Sequence, residues 1–414
     1  MSARGRGFSN IMRVEEIKQL VQERVLYNPN SERISSIQAL DRVLAEDIIS
    51  KVNLPGFRRS AMDGFAVLAS STFGASDTSP IRLKISGQVE IGDKTAPILQ
   101  TGNAIRISTG APIPQEADAV IKIEDCELIT DLDLDVMSAV NSGTNIANED
   151  EDIKINELVL PIGTLIRPWD IAIFESIGQN QIIVYCLPKI SVLSTGNELV
   201  TSGSIPNIGE VVDSNRPAIN AWLTKFNVNL VKSESCLDDI DLLKEKIIQL
   251  AVQSDLIITT GGTSVGTKDY LPEIIVNIGE LFVHGCAIRP GKPVAIGFIN
   301  TESKRKVPII ALPGYPLAAF INFELFVASL LSNWTKIEIP WQNQIKVKLK
   351  TKIPSQAGVR DFVRLKETSA GAEVIRITGA GILSSLVHAD YMLEVPEDIE
   401  GYSAGDIVSV KKLR

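Results

Sequence analysis

The stretch VQSDLIITTGGTSVGTKDYLPEII, residues 252 to 275, decides how the chain folds. A short apolar strand, Asp255 to Thr260, ends abruptly at Gly261 and Gly262. Glycines there let backbone N–H groups crowd against an anion without Cβ interference. A helix starting near Thr267 would aim its positive end at the same place. Asp269 adds the hard oxygen ligand that Mg²⁺ takes. Such a loop handles phosphates or other oxyanions. It is neither a Walker A loop, since no Gly-Lys-Ser/Thr closes it, nor the dinucleotide GxGxxG.

Working outward, residues 189 to 332 alternate strand and helix. The strands read as KISVLS, VNLVKSES, DLIITT, PVAIGFI and VPIIAL. The clearest helix is DDIDLLKEKIIQLA, with Ile240, Leu243, Ile247 and Leu250 on one face and Asp238 as N-cap. This alternation predicts a largely parallel, doubly wound sheet, which binds ligands at the carboxyl ends of its strands. The glycine loop after Thr260 sits at such an end, and so does STGNEL, 194 to 199.

The flanks differ in character. Residues 11 to 27 read as an amphipathic helix and 35 to 50 as a second helix running into extended chain. Residues 51 to 145 read as a mostly β module, and 145 to 188 as mixed structure. After Trp334, QIKVKLK, DFVRLK, AEVIRIT, MLEVPE and DIVSVKKL predict a small β-barrel. TDLDLDV, 130 to 136, reads as an edge strand with an acidic face, because it lacks the Gly and terminal Glu of an EF-hand.

A 44% hydrophobic, 22% charged composition over 414 residues supports several real cores. The net charge of -9 argues against nucleic acid as a partner. Four cysteines, Cys126, Cys186, Cys236 and Cys286, stand at wide spacings and read as buried thiols in a reducing cytoplasm. Two histidines exclude a His-rich metal site, and His284 reads as structural. No secretory signal opens the chain. The greasy run VPIIALPGYPLAAFINFELFVASLL is broken by Pro313, Gly314 and Pro316, so a strand, a turn and a buried helix are expected rather than a membrane span.

Seven segments combine: LPGFRRSAMDGFAV (54–67), RISTGAPIPQEADAVIKIE (106–124), STGNEL (194–199), VVDSN (211–215), TTGGTSVGTKD (259–269), IRPGKP (288–293) and LPGYP (312–316). In this order the chain resembles the MoeA family, the molybdopterin molybdenumtransferases that include the E domain of gephyrin. The resemblance implies an α/β multidomain fold with a central doubly wound, MogA-like domain at 189–332. It further implies an N-terminal helix (1–30) packing on that domain and a mixed linking domain (31–50 and 145–188). A mostly β module with the SAMDG loop (51–144) and a C-terminal β-barrel (333–414) complete the layout. The implied activity is Mg²⁺-dependent insertion of molybdate or tungstate into adenylyl-molybdopterin with release of AMP. The implied assembly is a homodimer whose cleft pairs one copy's doubly wound domain with the other's SAMDG loop. A MogA- or MoaB-type adenylyltransferase is the implied protein partner.

Carried over residue by residue, the resemblance implies catalytic carboxylates at Asp63, Glu198, Asp213, Asp238 and Asp269, with Asp269 and Glu198 on the metal. Converging acids in an anion site need a cation among them. Substrate contacts are implied at Ser60, Thr109, Gly110, Thr195, Gly196, Ser214, Asn215, Gly261, Gly262, Thr263, Ser264 and Gly266. Others are implied at Arg289, Pro290, Gly291, Lys292, Pro313, Gly314 and Pro316. Simpler roles stand beside these. Glycines end strands, Asp63 caps a turn, Asp213 to Asn215 cap a helix, the prolines shape a turn, and Arg289 and Lys292 form a surface pair. The chain departs from the family at Ala147, where Arg is expected, at Asp150, where Gly is expected, and at Tyr315, where Asn is usual. Those departures favour the alternative of a non-catalytic, pterin-binding or scaffolding paralogue.

Overall fold

The computed structural model describes residues 11–263, 270–340, 342–376, 379 and 381–413. The chain divides into two compact units. One comprises Met1–Glu32, Asp41–Val43 and Val184–Arg414, the other Arg33–Leu40 and Leu44–Ile183. Helix α1 (Val14–Arg24) belongs to the first and buries Val14, Ile17 and Val21. Residues 35 to 50 do not form the expected second helix. Only a single 3₁₀ turn, Ser36–Ala39, appears there, and Ile37 and Leu40 of the apolar stripe stay exposed. Val43 and Leu44 of the same stripe are buried outside any helix, so the stripe presents no single apolar face to hold one.

Besides helix α2 (Pro168–Ser176) and the strand β1 (Arg59–Ser60), the second unit holds a six-stranded sheet of β2 (Gly64–Val67), β3 (Ile81–Val89), β4 (Asn103–Ile107), β5 (Ala119–Lys122), β6 (Cys126–Leu128) and β7 (Asp133–Val136) in the order β5-β2-β4-β3-β7-β6. Only β3 and β4 run parallel. Gly64 of the SAMDG loop is required by close approach, because a Cβ there would lie 1.8 Å from the Ile121 carbonyl oxygen. The acidic run forms β7, but it lies inside the sheet between β3 and β6 rather than at its edge. Leu134 and Val136 point into the core, and Asp135 pairs with Arg82. The short strand β1 (Arg59–Ser60) pairs separately with β8 (Ile146–Ala147).

In the first unit, β9 (Lys189–Thr195), β10 (Asn229–Cys236), β11 (Leu256–Thr260), β12 (Gly279–His284), β14 (Ala295–Asn300) and β15 (Lys306–Leu312) form one sheet, ordered β10-β9-β11-β15-β14-β12. The first four are parallel, but β14 runs antiparallel to β15 and to β12, so the sheet is mixed. Helices α3 (Asn215–Leu223) and α1 cover one face, together with the apolar run that follows β15. Helices α4 (Ile240–Gln253) and α5 (Leu271–Ile278) cover the other. The N-cap of α4 is Asp239, not Asp238. Its carboxylate accepts from Asp241 N at 3.0 Å and Leu242 N at 2.9 Å. The greasy run continues from β15 through a turn into α6 (Pro316–Asn322), a π-helical turn (Phe323–Ala328) and α7 (Ser329–Thr335). By length and composition Pro316–Thr335 could cross a membrane, yet its apolar side chains pack within the core.

A third sheet joins β13 (Ile288–Arg289), β17 (Arg360–Thr368), β19 (Tyr391–Val395), β20 (Ile407–Lys412) and β16 (Gln344–Lys348), with β18 (Gly371–Arg376) on the free side of β17. A bridge from Leu349 to Ala372 brings β16 back toward β18. Phe362 and Met392 of this sheet enter the same core as α1 and α3. The four cysteines are free thiols, and Cys286 alone is fully buried, its thiol pushed up to about 12 by burial. His284 is buried as well.

Arg360 stitches α1 to this sheet. Its guanidinium donates to Glu397 at 2.7 and 3.2 Å, to Glu394 at 2.9 Å and to Glu15 at 2.9 Å. The Arg360 hydrogen bonds hold the Glu397 carboxyl below the usual carboxylate range. A depressed folded pKa contributes stability that is complete above the unfolded value of about 4.3 and is lost as pH falls through the folded value. Glu397→Gln should therefore flatten the fall of the melting temperature between about pH 5 and pH 3. Thermal melts across that window read the effect, and parallel curves for the two proteins would rule it out.

Candidate functional site

Strands β9 and β15 flank β11 and all three run parallel, so their carboxyl ends share one edge. Glycine makes that edge close-packed. Gly261 adopts φ +97°, and a Cβ there would lie 2.2 Å from the Thr195 carbonyl oxygen. Its N–H donates to the Leu312 carbonyl at 3.1 Å. Gly262 adopts φ +60° against the Thr195 methyl and Leu271. Gly314 faces Gly261 so closely that its own Cβ would meet the Gly261 Cα at 3.5 Å. Thr263 is buried beside them. The ends of β9, β11 and β15 thus meet through glycine backbone.

Asn215 ties the loops together. Its Nδ2 donates to Thr260 Oγ1 at 2.9 Å and to the Gly314 carbonyl at 2.7 Å, while Thr260 Oγ1 donates to the Pro313 carbonyl at 3.3 Å. Ser214 precedes it as the N-cap position of α3, and Pro316 opens α6. Asp213 is buried and already engaged. It accepts from Ser194 Oγ at 2.7 Å and from Arg216 Nε at 2.7 Å. Asp238 accepts from Thr195 Oγ1 and donates its backbone N–H to Asn197 Oδ1 at 3.0 Å. Glu198 is exposed and folds over Gly196, where a Cβ would meet its Oε1 at 2.7 Å. Glu198 and Asp238 therefore both border Thr195. Oxygen donors of this kind suit Mg²⁺. Among the described residues no group of three or more His, Cys, Asp or Glu is placed to hold a metal ion. Ser264, Gly266, Asp269 and the helix start near Thr267 lie outside the described residues.

The turn carrying Arg289, Pro290, Gly291 and Lys292 reaches the same edge, because β14 starts with Ala295 paired to Ala311 near the end of β15. Arg289 makes a two-pronged ion pair with buried Asp361, Nε to Oδ1 being 2.7 Å, and Ser355 Oγ donates to the same carboxylate at 2.6 Å. Its charge is thus balanced within the protein, while the Lys292 side chain is exposed. Asp361, Arg216 and Asn322 were invisible as site residues from sequence. The spacing of Arg216, three residues after Asp213, was the one available signal.

In the other unit, Ser60, Asp63, Thr109 and Gly110 form one loop cluster. Gly110 N donates to the Ser60 carbonyl at 2.8 Å, and Thr109 N donates to Asp63 Oδ1 at 2.7 Å. That backbone bond holds the exposed Asp63 carboxyl below its ordinary range. Ser60 is buried, and its hydroxyl donates to the Met62 carbonyl at 2.6 Å, shaping the turn itself. Ala147 pairs directly with Arg59 across β1 and β8. Asp150 takes φ +65°, the left-handed conformation that glycine adopts most easily.

The chain is similar to known proteins along its length. The MoeA N-terminal region (domain I and II) matches residues 12–178, a probable molybdopterin binding domain matches 191–333, and the MoeA C-terminal region (domain IV) matches 346–413. A putative molybdopterin biosynthesis protein of Methanocaldococcus jannaschii is 34% identical over 98% of this chain and 99% of its own. A molybdopterin molybdenumtransferase of Staphylococcus aureus is 30% identical over 90% of this chain and 89% of its own. The crystal structure of a molybdopterin biosynthesis MoeA protein from Pyrococcus horikoshii superposes with a TM-score of 0.82 at 32% identity, covering 98% of this chain and 100% of that one. Over the same three regions whose loops build the glycine-lined edge and the SAMDG cluster, this chain belongs to the MoeA family, and it is a transferase of molybdenum cofactor biosynthesis.

Proposed function

We propose that the glycine-lined strand edge holds the phosphates of adenylyl-molybdopterin while molybdate or tungstate replaces the adenylate, with AMP as the leaving product. The carrying observation is the close approach of Gly261 to the Thr195 carbonyl, which leaves no room for a side chain and packs the loop after β11 against the end of β9. Asn215 holds the Gly314 loop in register with Thr260. Lys292 supplies mobile positive charge beside the anhydride. Glu198 and Asp238, with Asp269, would hold Mg²⁺. Bound there, the ion supplies charge neutralisation for the leaving phosphate. The Asp213–Arg216 pair fixes the start of α3 and with it Asn215. No side chain acts as nucleophile, since an oxyanion oxygen attacks once it is positioned. In this reading the protein works in the cytoplasm as a homodimer, a second copy supplies Asp63, and a MogA- or MoaB-type adenylyltransferase hands over the substrate.

A non-catalytic, pterin-binding paralogue is the second reading, and Ala147 and the exposed Tyr315 favour it. The assay that separates them uses purified protein, adenylylated pterin, molybdate and Mg²⁺, with AMP measured by chromatography. Turnover supports the enzyme, whereas tight binding without AMP supports the scaffold. Asp269→Ala should lower metal-dependent AMP release by about two orders of magnitude. Full release in that variant would refute its metal role.

The glycines should separate by what their Cβ would meet. Gly261→Ala combines a left-handed φ with a backbone clash and should cost roughly 1–3 kcal/mol of stability as well as activity. Gly196→Ala meets only the mobile end of Glu198 and should keep its melting temperature while weakening Mg²⁺ dependence. Equal melting losses in both variants would contradict this assignment.

A further inference from the structure

One buried amide has no counterpart in the site motifs. Asn322, the last residue of α6, is fully buried. Its Nδ2 donates to the Ala318 carbonyl at 2.8 Å, one turn back in its own helix, and to the Gly291 carbonyl at 2.9 Å. Its Oδ1 is buried without a hydrogen-bond partner among the described residues. A leucine would avoid that cost, so the amide is retained for what its donor does. The fit is tight: Gly291 adopts φ +120°, and a Cβ there would lie 2.4 Å from Nδ2. The helix passes into its π-helical turn immediately afterwards, a distortion often found at functional sites.

The peptide between Gly291 and Lys292 is trans, so its carbonyl and its N–H point in opposite directions. With the Gly291 carbonyl bonded to Asn322, the Lys292 N–H points away from that amide, and Lys292 itself is exposed. We propose that Asn322 is a positioning residue that aims the Lys292 backbone and side chain at the anion held on the strand edge. Asp361 steadies the other end of the same turn through Arg289. The inference rests on the reading of that edge as the pterin-nucleotide site.

Asn322→Thr is the informative variant. A threonine hydroxyl in a helix reaches the carbonyl one turn back, so the bond to Ala318 survives while the bond to Gly291 is lost. Affinity for adenylylated pterin, measured by equilibrium titration on the full chain, should fall about tenfold, with kcat changing less than about twofold and the melting temperature within a few degrees of the parent. Asn322→Ser, which makes the same helix bond with less bulk, is read in the same way if the threonine variant does not fold. Parental affinity in a folded variant overturns the proposal, as does a loss of stability with no loss of affinity. Lys292→Ala separates the two layers. If it binds the pterin nucleotide as tightly as the parent, the anion-site reading fails and takes this inference with it. If it weakens binding while Asn322→Thr does not, only the role of Asn322 falls.

Discussion

The contact between the Gly261 backbone and the Thr195 carbonyl sets the spacing of everything around the site. A side chain at 261 would drive apart β9 and β11, the two central parallel strands, at the end where their loops meet. Because they stay together, Asn215 reaches both Thr260 and Gly314 with one amide. The loop after β15 then closes over the loop after β11. The absence of a side chain at that point is what lets the three strand ends pack together.

Charge is managed around this edge by pairing it off inside the protein. Asp213 is satisfied by Arg216 and Ser194, and Arg289 by Asp361. Both pairs set backbone rather than present charge, one at the start of α3 and the other at the turn before β14. An acid and a cation of the site motifs thus each have a partner within the protein. Asp63 follows a different logic: it is exposed, and the bond from the Thr109 N–H holds its carboxyl below the ordinary range.

The departures from the family pattern become intelligible locally. Asp150 takes the left-handed backbone that a glycine would take with less strain, so the turn is kept although the residue changed. Ala147 lies directly across from Arg59, leaving an arginine on the neighbouring strand. Tyr315 packs its ring over Gly381, whose Cβ would lie 3.3 Å from Cδ1.

Period and punctuation in the sequence were enough to find five strands of the central sheet but not its edge strand β12, together with the helices from 240 to 253 and 316 onward and the glycine loop after Thr260, because burial on two faces and sharp turns leave local marks. They could not tell that PVAIGFI runs antiparallel, since a buried strand reads the same in either direction. They also placed a helix at 35 to 50, where Ile37 and Leu40 stay exposed and Val43 and Leu44 are buried outside any helix. The seven motifs named the site's glycines and acids, but not which acids were already paired. Asp361, Asn322 and Arg216 act through partners 72, 31 and 3 residues away. Residue types and local periodicity were settled by the sequence. Which charges face each other, and which carbonyl a buried amide draws inward, only the tertiary packing decided, because hydrogen bonds are fixed by distance in space and not by separation along the chain.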